Sequence, residues 1–245
     1  MSDMLLQITD VTKAFGGLVA VNGAVLDVGE GEILGLIGPN GAGKTTLFNI
    51  ISGEIQPDTG SITFNGNDIT GLKPHTIAHR GLVRTFQIVK PFAKLSVVEN
   101  VMVGAFINTS DVEQAESRAR EVIEFVDLGS HADQPASNLT TASRKRLELA
   151  RALATRPRLL LLDEVMAGLT PTESASMVEL LKGIREQGVT QLVIEHVMQA
   201  VMTLSDRIAV LHHGEMIAVG LPAQIASDSR VIEAYLGEEF EIADN

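Results

Sequence analysis

The sequence predicts an α/β fold that is built around a mostly parallel β-sheet. Residues 33–37 and 159–162 are almost entirely apolar, which is typical of strands buried on both faces. Helical segments follow at about 44–52 and 174–187, and strands that alternate with helices indicate a parallel sheet. The residues before about 70 contain short strands with turns instead, so we expect an antiparallel β portion near the N terminus.

A helical segment interrupts this pattern in the middle of the chain. Apolar residues recur at helical spacing over residues 111–126, namely Val112, Ala115, Ala119, Val122, Ile123 and Val126. This spacing predicts a helical insertion at about 90–140. After the insertion, residues 192–194 form another buried strand, and residues 207–219 are typical of a hairpin that turns at His213 and Gly214.

The composition limits the kinds of protein that this chain can be. Its 245 residues carry a formal net charge of −12, so its overall field repels the phosphates of a nucleic acid duplex. It has no cysteine, which excludes disulfides and thiolate metal sites. We see no signal peptide and no apolar run of the ~20 residues that a membrane-spanning helix needs. We therefore expect a soluble cytoplasmic protein that reaches a membrane only through a partner.

A glycine-rich segment between a buried strand and a helix fits the pattern G-x-x-x-x-G-K-[ST]. It consists of Gly38, Pro39, Asn40, Gly41, Ala42, Gly43, Lys44 and Thr45, and Thr46 follows it. The glycines let backbone N–H groups surround a phosphate, and the positive end of the helix faces the same anion. We expect Lys44 to reach the β- and γ-phosphates of ATP and the Thr45 hydroxyl to bind Mg²⁺. The alternative is a plain glycine-rich turn, but the flanking strand and helix favour a phosphate-binding loop (P-loop).

The apolar run at 159–162 ends in Asp163 and Glu164 and has the form of a Walker B strand. Enzymes of phosphoryl transfer hold their metal with a carboxylate at such a place. Asp163 would hold Mg²⁺ through water, and Glu164 would orient or deprotonate the attacking water. On its own, an apolar run with this ending is more often a strand that meets a solvated loop. Because the same chain contains a P-loop, the Walker B interpretation is favoured over a strand that merely meets a solvated loop.

Three further residues are candidates for the same site. His196 follows the run at 192–194, and strand ends in such sheets line the ligand crevice, so it can donate to the γ-phosphate. The alternative is an exposed strand-end histidine. Gln87 precedes the helical insertion, where its amide can reach Mg²⁺ or the attacking water. Phe15 lies before two glycines, where it can stack on adenine or belong to a small satellite core.

In their order along the chain, these motifs resemble those of an ABC-type ATPase. The resemblance covers nearly the whole chain and rests on the P-loop, Gln87, residues 139–143, Asp163 with Glu164, and His196. The segments 81–87, 167–173 and 231–237 narrow the resemblance to one group of these ATPases. They are similar to segments of the ATPase subunits of bacterial branched-chain amino acid importers.

The resemblance implies a single ATPase domain over residues 1–245. Residues 1–88 and 141–245 would form a P-loop (RecA-like) nucleotide-binding core that includes the antiparallel β portion, and residues 89–140 a helical subdomain. Two ATPase subunits, identical or different, would pair head to tail around two ATP. The helical subdomain and the glutamine loop would grip permease subunits at the inner face of the cell membrane. A periplasmic binding protein would deliver the substrate, and no nucleic acid is expected as a partner.

The signature segment, which in this family completes the partner subunit's P-loop site, departs from the family's pattern. The family has Leu-Ser-Gly-Gly-Gln, or Leu-Pro-Tyr-Gly-Gln in the nearest branch, whereas this chain has Leu139, Thr140, Thr141, Ala142 and Ser143. Because Ala142 replaces a glycine, we expect either backbone strain on the order of 1 kcal/mol or a longer contact with the γ-phosphate. Three cations follow, Arg144, Lys145 and Arg146, which we expect to be solvated or else to face a bound anion.

The function expected from these residues is ATP hydrolysis that powers the import of branched-chain or related amino acids. Two alternatives remain open. The altered signature is compatible with a nucleotide-binding subunit that hydrolyses ATP only weakly. A soluble ABC-type ATPase that acts on DNA or ribosomes would carry the same motifs, although the acidic composition disfavours it.

Overall fold

The computed structural model describes residues 4–85 and 91–235, and the predicted site residue Gln87 lies outside them. The strands in these residues are β1 (Met4–Phe15), β2 (Leu18–Gly29), β3 (Ile33–Ile37), β4 (Thr59–Phe64), β5 (Asn67–Asp68), β6 (Leu82–Arg84), β7 (Leu159–Asp163), β8 (Thr190–Ile194), β9 (Arg207–His212) and β10 (Glu215–Gly220). The helices are α1 (Lys44–Ile51), α2 (Pro74–His79), α3 (Val97–Ala105), α4 (Val112–Phe125), α5 (Thr141–Ala154), α6 (Pro171–Glu186), α7 (Met198–Leu204) and α8 (Pro222–Ala226).

The strands form two sheets. One is mostly parallel, with the order β10-β9-β3-β8-β7-β6, and only β10 runs antiparallel to its neighbour. The other is antiparallel, with the order β2-β1-β4-β5. The predicted α/β class is therefore confirmed. The expectation of short N-terminal strands is wrong, because β1 and β2 each extend over 12 residues. Their long pairing tolerates several register shifts, which local apolar alternation does not reveal.

The central strands are buried on both faces, as their uninterrupted apolar sequences predict. Along β7, Leu159 and Leu161 belong to the core beneath the antiparallel sheet and α1, whereas Leu160 and Leu162 belong to the core that contains α3 to α6. This period of two is the one that a pleated strand imposes. The parallel sheet thus separates two cores, and its strand ends are fixed in place by packing on both sides.

The register of the parallel strands brings the chemically interesting segments together. Ile194 at the end of β8 is paired with Leu36 of β3 on one side and with Asp163 of β7 on the other. The carboxyl ends of parallel strands lie at the same edge of the sheet. The loops after β3, β7 and β8 therefore emerge side by side, and these loops carry the P-loop, Glu164 and His196.

The chain between β6 and α5 contains α3, α4 and two short 3-10 turns. The start of α3 is fixed by a capping box between Ser96 and Glu99, and Asp111 caps α4 by accepting the N–H of Gln114. The predicted helix at 111–126 is confirmed, since α4 covers Val112–Phe125. The domain boundaries at 89 and 140 stay a prediction. Among the described residues, no helix is both long enough and apolar enough to cross a membrane.

Candidate nucleotide-binding site

The P-loop connects the buried end of β3 to the first turn of α1. Gly43 is the residue before α1 and has φ of +104°, a conformation that side chains disfavour. A Cβ atom at Gly43 would overlap the carbonyl oxygen of Ala20, and one at Gly38 would overlap the carbonyl oxygen of Leu211. These two positions therefore need glycine for both conformational and steric reasons. The loop consequently lies directly against β2 and β9.

The start of α1 is suited to an anion. It has no side-chain cap and no acidic residue in its first turn, so nothing on the helix itself competes with an anion for the end of the helix dipole. The Lys44 side chain is buried, and its Nζ donates to the carbonyl oxygens of Gly38 (2.6 Å) and Pro39 (2.8 Å). The ammonium group is thereby held over the loop. Positive charge from the helix end and from Lys44 converges on one place.

A cavity of about 410 Å³ lies over this loop and gathers most of the predicted site residues. Its lining comes from the β1–β2 turn, the P-loop, the ends of β7 and β8, and the β9–β10 turn. The predicted residues in its wall are Phe15, Asn40, Gly41, Ala42, Gly43, Lys44, Thr45, Thr46, Glu164 and His196. Phe15 is about half exposed at the end of β1, so its ring is available to a ligand.

Glu164 and His196 meet in the wall of this cavity. His196 Nε2 lies 2.9 Å from Glu164 Oε1, so the imidazole N–H can donate a hydrogen bond to the carboxylate. Glu164 has φ of +50°, which is unusual for a residue with a side chain. Its backbone N–H donates to the carbonyl oxygen of Ile194 at 2.9 Å, which ties the ends of β7 and β8 together. The Glu164 carboxylate is held facing the P-loop by this arrangement.

Asp163 is not among the residues that line the cavity, and its carboxylate is paired with an arginine that the sequence motifs do not mark. Its Oδ2 accepts a hydrogen bond of 2.8 Å from Arg84 Nη2, and both side chains are almost completely buried. Arg84 also donates to Asn49 of α1 and to Ser52 directly after this helix, and it lies over the ring of Phe48. The sequence contains a sign of this ion pair. Arg84 ends the otherwise apolar strand β6, and a buried arginine needs a buried anion as its partner.

The signature segment begins α5 and corrects one of our expectations. Thr140 is the residue before the helix, and its hydroxyl accepts the N–H of Ser143 at 3.2 Å. Ala142 lies in the first turn of α5 with helical geometry and is not among the described residues with positive φ. The expected backbone strain at Ala142 is therefore wrong, because a helical position suits alanine better than glycine. The steric part of the expectation, a methyl group that lengthens a contact, is not affected.

The three cations after the signature are not simply solvated, so that expectation is wrong as well. Arg144 donates to the carbonyl oxygen of Ser137. Arg146 donates to the carbonyl oxygen of Val126 and to the hydroxyl of Ser176. Lys145 is buried and donates to the carbonyl oxygen of Glu164. Backbone oxygens thus accept hydrogen bonds from all three cations, which offsets part of their unfavourable position near the helix N terminus.

Four residues of the cavity wall were not predicted as site residues: Leu18, Val19, Ala20 and His213. The first three follow the glycines after Phe15 and form the start of β2. His213 was assigned only to the β9–β10 turn, where it has φ of +47°. No local pattern marks these residues, because they reach the P-loop only through the packing of the antiparallel sheet and the hairpin against it.

Comparison with known proteins establishes what kind of site this is. The sequence profile of the family described as "ABC transporter" matches residues 21–167. The high-affinity branched-chain amino acid transport ATP-binding protein BraF of Pseudomonas aeruginosa is 42% identical, covering 97% of this chain and all of the relative. The chain belongs to the ABC transporter family. It is an ABC ATPase, and it binds nucleotide.

Other relatives agree with this assignment of the ABC ATPase. A probable branched-chain amino acid transport ATP-binding protein LivG of Archaeoglobus fulgidus is 37% identical over 96% of both chains. A second profile, described as "Branched-chain amino acid ATP-binding cassette transporter", matches residues 215–241.

Solved structures show the same fold. The crystal structure of the ADP conformation of an ATP-binding cassette of an ABC transporter superposes with a TM-score of 0.88 at 30% identity, covering 96% of this chain and all of that one. A dimeric cassette in a post-hydrolysis state, bound to ADP and Pi, has a TM-score of 0.79 at 25% identity, covering 89% of this chain and 98% of that one.

Proposed function

We propose that this ABC ATPase is the ATP-hydrolysing subunit of an importer for branched-chain or related amino acids. The observation that carries the substrate class is the match of residues 215–241 to the branched-chain amino acid cassette profile, which lies outside the general ATPase motifs. The relatives named for high-affinity branched-chain amino acid transport support it over nearly the whole chain. The permease subunits would hold the ATPase at the inner face of the cell membrane, and a periplasmic binding protein would supply the substrate.

The P-loop, residues 38–45 with Thr46, is proposed to hold the phosphates of ATP. Its backbone N–H groups and the uncapped end of α1 favour the negative charge of the phosphates. Lys44 would exchange carbonyl oxygens of the loop for the β- and γ-phosphates, which are stronger acceptors because they are charged. Phe15, exposed at the opposite side of the same cavity, would stack on adenine.

The residues near the P-loop fit Mg²⁺. Thr45 offers a hydroxyl in the cavity wall, and Asp163, the residue before Glu164, offers a buried carboxylate that Mg²⁺ would share with Arg84. Hard oxygen ligands in small number suit Mg²⁺, which keeps several waters and shares its shell with substrate phosphates. Mg²⁺ would neutralise part of the phosphate charge when bound.

Glu164 is proposed to be the general base for the attacking water, and His196 its partner. The 2.9 Å contact between Glu164 and His196 supports this pairing because it orients the carboxylate, and both side chains line the cavity in which the γ-phosphate would lie. Gln87, outside the described residues, is proposed to reach Mg²⁺ or the attacking water. Proton transfer from water to Glu164 leaves a nucleophilic oxygen, and the charge that develops on the phosphoryl group is met by Lys44 and the loop N–H groups.

A second ATPase subunit, identical or different, is proposed to complete the site with its signature segment. In this chain the segment consists of Leu139, Thr140, Thr141, Ala142 and Ser143 at the start of α5. Thr140 caps one backbone N–H of this helix start, that of Ser143, and the other N–H groups of the first turn are suited to the γ-phosphate held by the other subunit. The dimeric cassette with ADP and Pi supports this pairing for the present chain.

The proposal is tested by uptake into vesicles that contain the assembled transporter. We expect ATP-dependent uptake of labelled leucine, and unlabelled isoleucine and valine should compete with it. Glu164→Gln should still bind ATP but stop both hydrolysis and uptake, since the amide has the same shape and no basic oxygen. The matched control is Glu30→Gln, which changes an exposed glutamate far from the cavity. ATP turnover that responds to no amino acid would contradict the substrate class, and full activity in Glu164→Gln would contradict the assigned base.

A further inference from the structure

Lys145 is a buried cation one turn inside α5, directly after the signature segment. Only 7% of the residue is exposed, and its Nζ donates a 2.7 Å hydrogen bond to the backbone carbonyl oxygen of Glu164. A lysine is rarely buried unless its charge is compensated. Here the compensating groups are the carboxylates of Glu195, Glu164, Glu148 and Asp163, whose charges act on Lys145. Lys145 thus links the signature helix to the Walker B end of the same chain.

The contact falls on a residue whose backbone conformation is unusual. Glu164 has a left-handed conformation with φ of +50°, which a residue with a side chain rarely adopts because its Cβ crowds the backbone. This conformation persists because the surrounding structure holds it. The N–H of Glu164 is bound by Ile194 and its carbonyl oxygen by Lys145. Both ends of the residue that carries the catalytic carboxylate are therefore tied, one to β8 and one to α5.

Glu195 holds the next part of the same segment. It is 2% exposed, and its Oε1 accepts the backbone N–H of Met166 at 2.7 Å. Its carboxylate also accepts the backbone N–H of His196. Burial raises the pKa of Glu195 to about 7, and the hydrogen bonds from Met166 and His196 and the nearby charge of Lys145 oppose that rise. Glu195 thus connects the residues after Glu164 to the histidine that contacts Glu164.

We infer that Lys145 and Glu195 are positioning residues for hydrolysis, which fix the backbone from Glu164 to Met166 and couple it to the signature helix. This inference rests on the proposed role of Glu164 as the base. Neither side chain lines the nucleotide cavity, so both act through the residues that do. Because α5 carries the signature at its first turn and Lys145 one turn later, a displacement of the signature by the partner's nucleotide reaches this chain's own Glu164.

The expected consequence is a loss of turnover without a loss of nucleotide binding. The phosphates are held by the P-loop, which makes no hydrogen bond to Lys145 or Glu195 among those described. Lys145→Met in the assembled transporter should lower kcat by about tenfold or more and leave the KM for ATP within about threefold, since a displaced base slows only the chemical step. Lys145→Arg, which keeps a charged donor, should recover part of kcat.

Two controls separate positioning from general damage to the fold. Lys182→Met removes a lysine that is paired with Glu179 on the outer face of α6, and it should leave kcat unchanged. Lys145→Gln keeps a neutral hydrogen-bond donor. It replaces Lys145→Met in the kinetic comparison if the methionine variant does not fold. Amide hydrogen exchange of the full-length chain should show faster exchange at Met166 in both Lys145→Met and Glu195→Ala, beyond any uniform change from lower stability.

Lys145 and Glu195 should also show coupling. If both act on one backbone segment, Lys145→Met combined with Glu195→Gln should reduce kcat by less than the product of the single effects. A kcat in Lys145→Met within about twofold of Lys182→Met, or a rise in KM with unchanged kcat, would overturn the inference. Unchanged exchange at Met166 would overturn it as well. Absence of leucine uptake would contradict only the proposed substrate, because ATP turnover and amide exchange do not depend on it.

Discussion

Arg84→Met should strongly destabilise this ABC ATPase, because it leaves the Asp163 carboxylate buried without its main cationic partner. The two side chains are only 6% and 5% exposed, and their closest atoms are 2.8 Å apart. Removing one member of a buried ion pair costs about 3–5 kcal/mol, since the remaining charge stays out of water. For a chain of this size, each kcal/mol corresponds to about 2–4 °C in the melting temperature. The expected decrease in Tm is therefore about 6–20 °C.

The matched control for this prediction is Arg158→Met. Arg158 pairs with Glu30 at a similar distance of 2.7 Å, but both side chains are about half exposed. Exposed pairs contribute about 0–1 kcal/mol, so this variant should unfold nearly like the wild type. Urea unfolding followed by circular dichroism, with unchanged m-values, provides the free energies. If the two variants lose the same small amount of stability, the burial of the Arg84–Asp163 pair is irrelevant and the reasoning is refuted.

A double variant tests the cause of the destabilisation. Asp163→Asn in the Arg84→Met background removes the unpaired charge but keeps the shape of the side chain. It should recover part of the lost stability, because much of the cost comes from the isolated carboxylate rather than from the lost contact. Arg84 and its contacts with α1 are missing from both variants, so a double variant no more stable than Arg84→Met alone would show that the isolated carboxylate is not the cause of the loss.

Three further predictions follow from the site. Lys44→Ala should weaken MgATP binding by about a hundredfold or more, since it removes a buried cation from the phosphate loop; a nucleotide titration with unchanged affinity would remove the P-loop assignment. Ala142→Gly should lower the free energy of unfolding by up to about 1 kcal/mol because Ala142 is helical. It should nevertheless raise the hydrolysis rate of the assembled transporter by shortening the contact with the partner's γ-phosphate, and an equal or lower rate would contradict this. Glu195→Gln should change the pH dependence of stability. Burial raises the pKa of Glu195 from 4.5 to about 7, so the wild type loses up to about 3 kcal/mol relative to the variant as pH rises through this range. If the free energies of unfolding of the wild type and of Glu195→Gln change in parallel from pH 4 to 8, the raised pKa of Glu195 is excluded.

The features that the sequence predicted well are those that local pattern determines. The apolar strand before the P-loop, the helix after it and the amphipathic α4 are confirmed. Their apolar periodicity and the residues that end them lie within about ten to twenty consecutive residues, so the sequence pattern is sufficient to predict them. The predicted helix at 174–187 is also confirmed, although α6 begins three residues earlier, at Pro171. There Thr170 and Glu173 form a capping box, which is itself a local signal.

The errors arise where tertiary contacts decide the outcome. The position of Ala142 was compared with a glycine in a loop, but the segment begins a helix, so no left-handed conformation is needed. Lys145 was expected in solvent, yet the face of α5 on which it lies packs against the Walker B end. The partner of Asp163 is 79 positions away in sequence. Periodicity reports which face of an element is buried and does not report what a buried charge will meet there.

The close contacts around Gly43 have a consequence for how the binding pocket varies among relatives. Backbone hydrogen bonds join the three walls of the pocket, from the N–H of Asn22 to the carbonyl oxygen of Gly214 and from the N–H of Gly214 to that of Ala42. Gly43 adds direct contact with the backbone of β2. Since the main chain makes these links, side chains at the rim such as Phe15 are free to change without moving the phosphate loop. Side chains at the rim can therefore differ between relatives while the position of the phosphate loop stays constant.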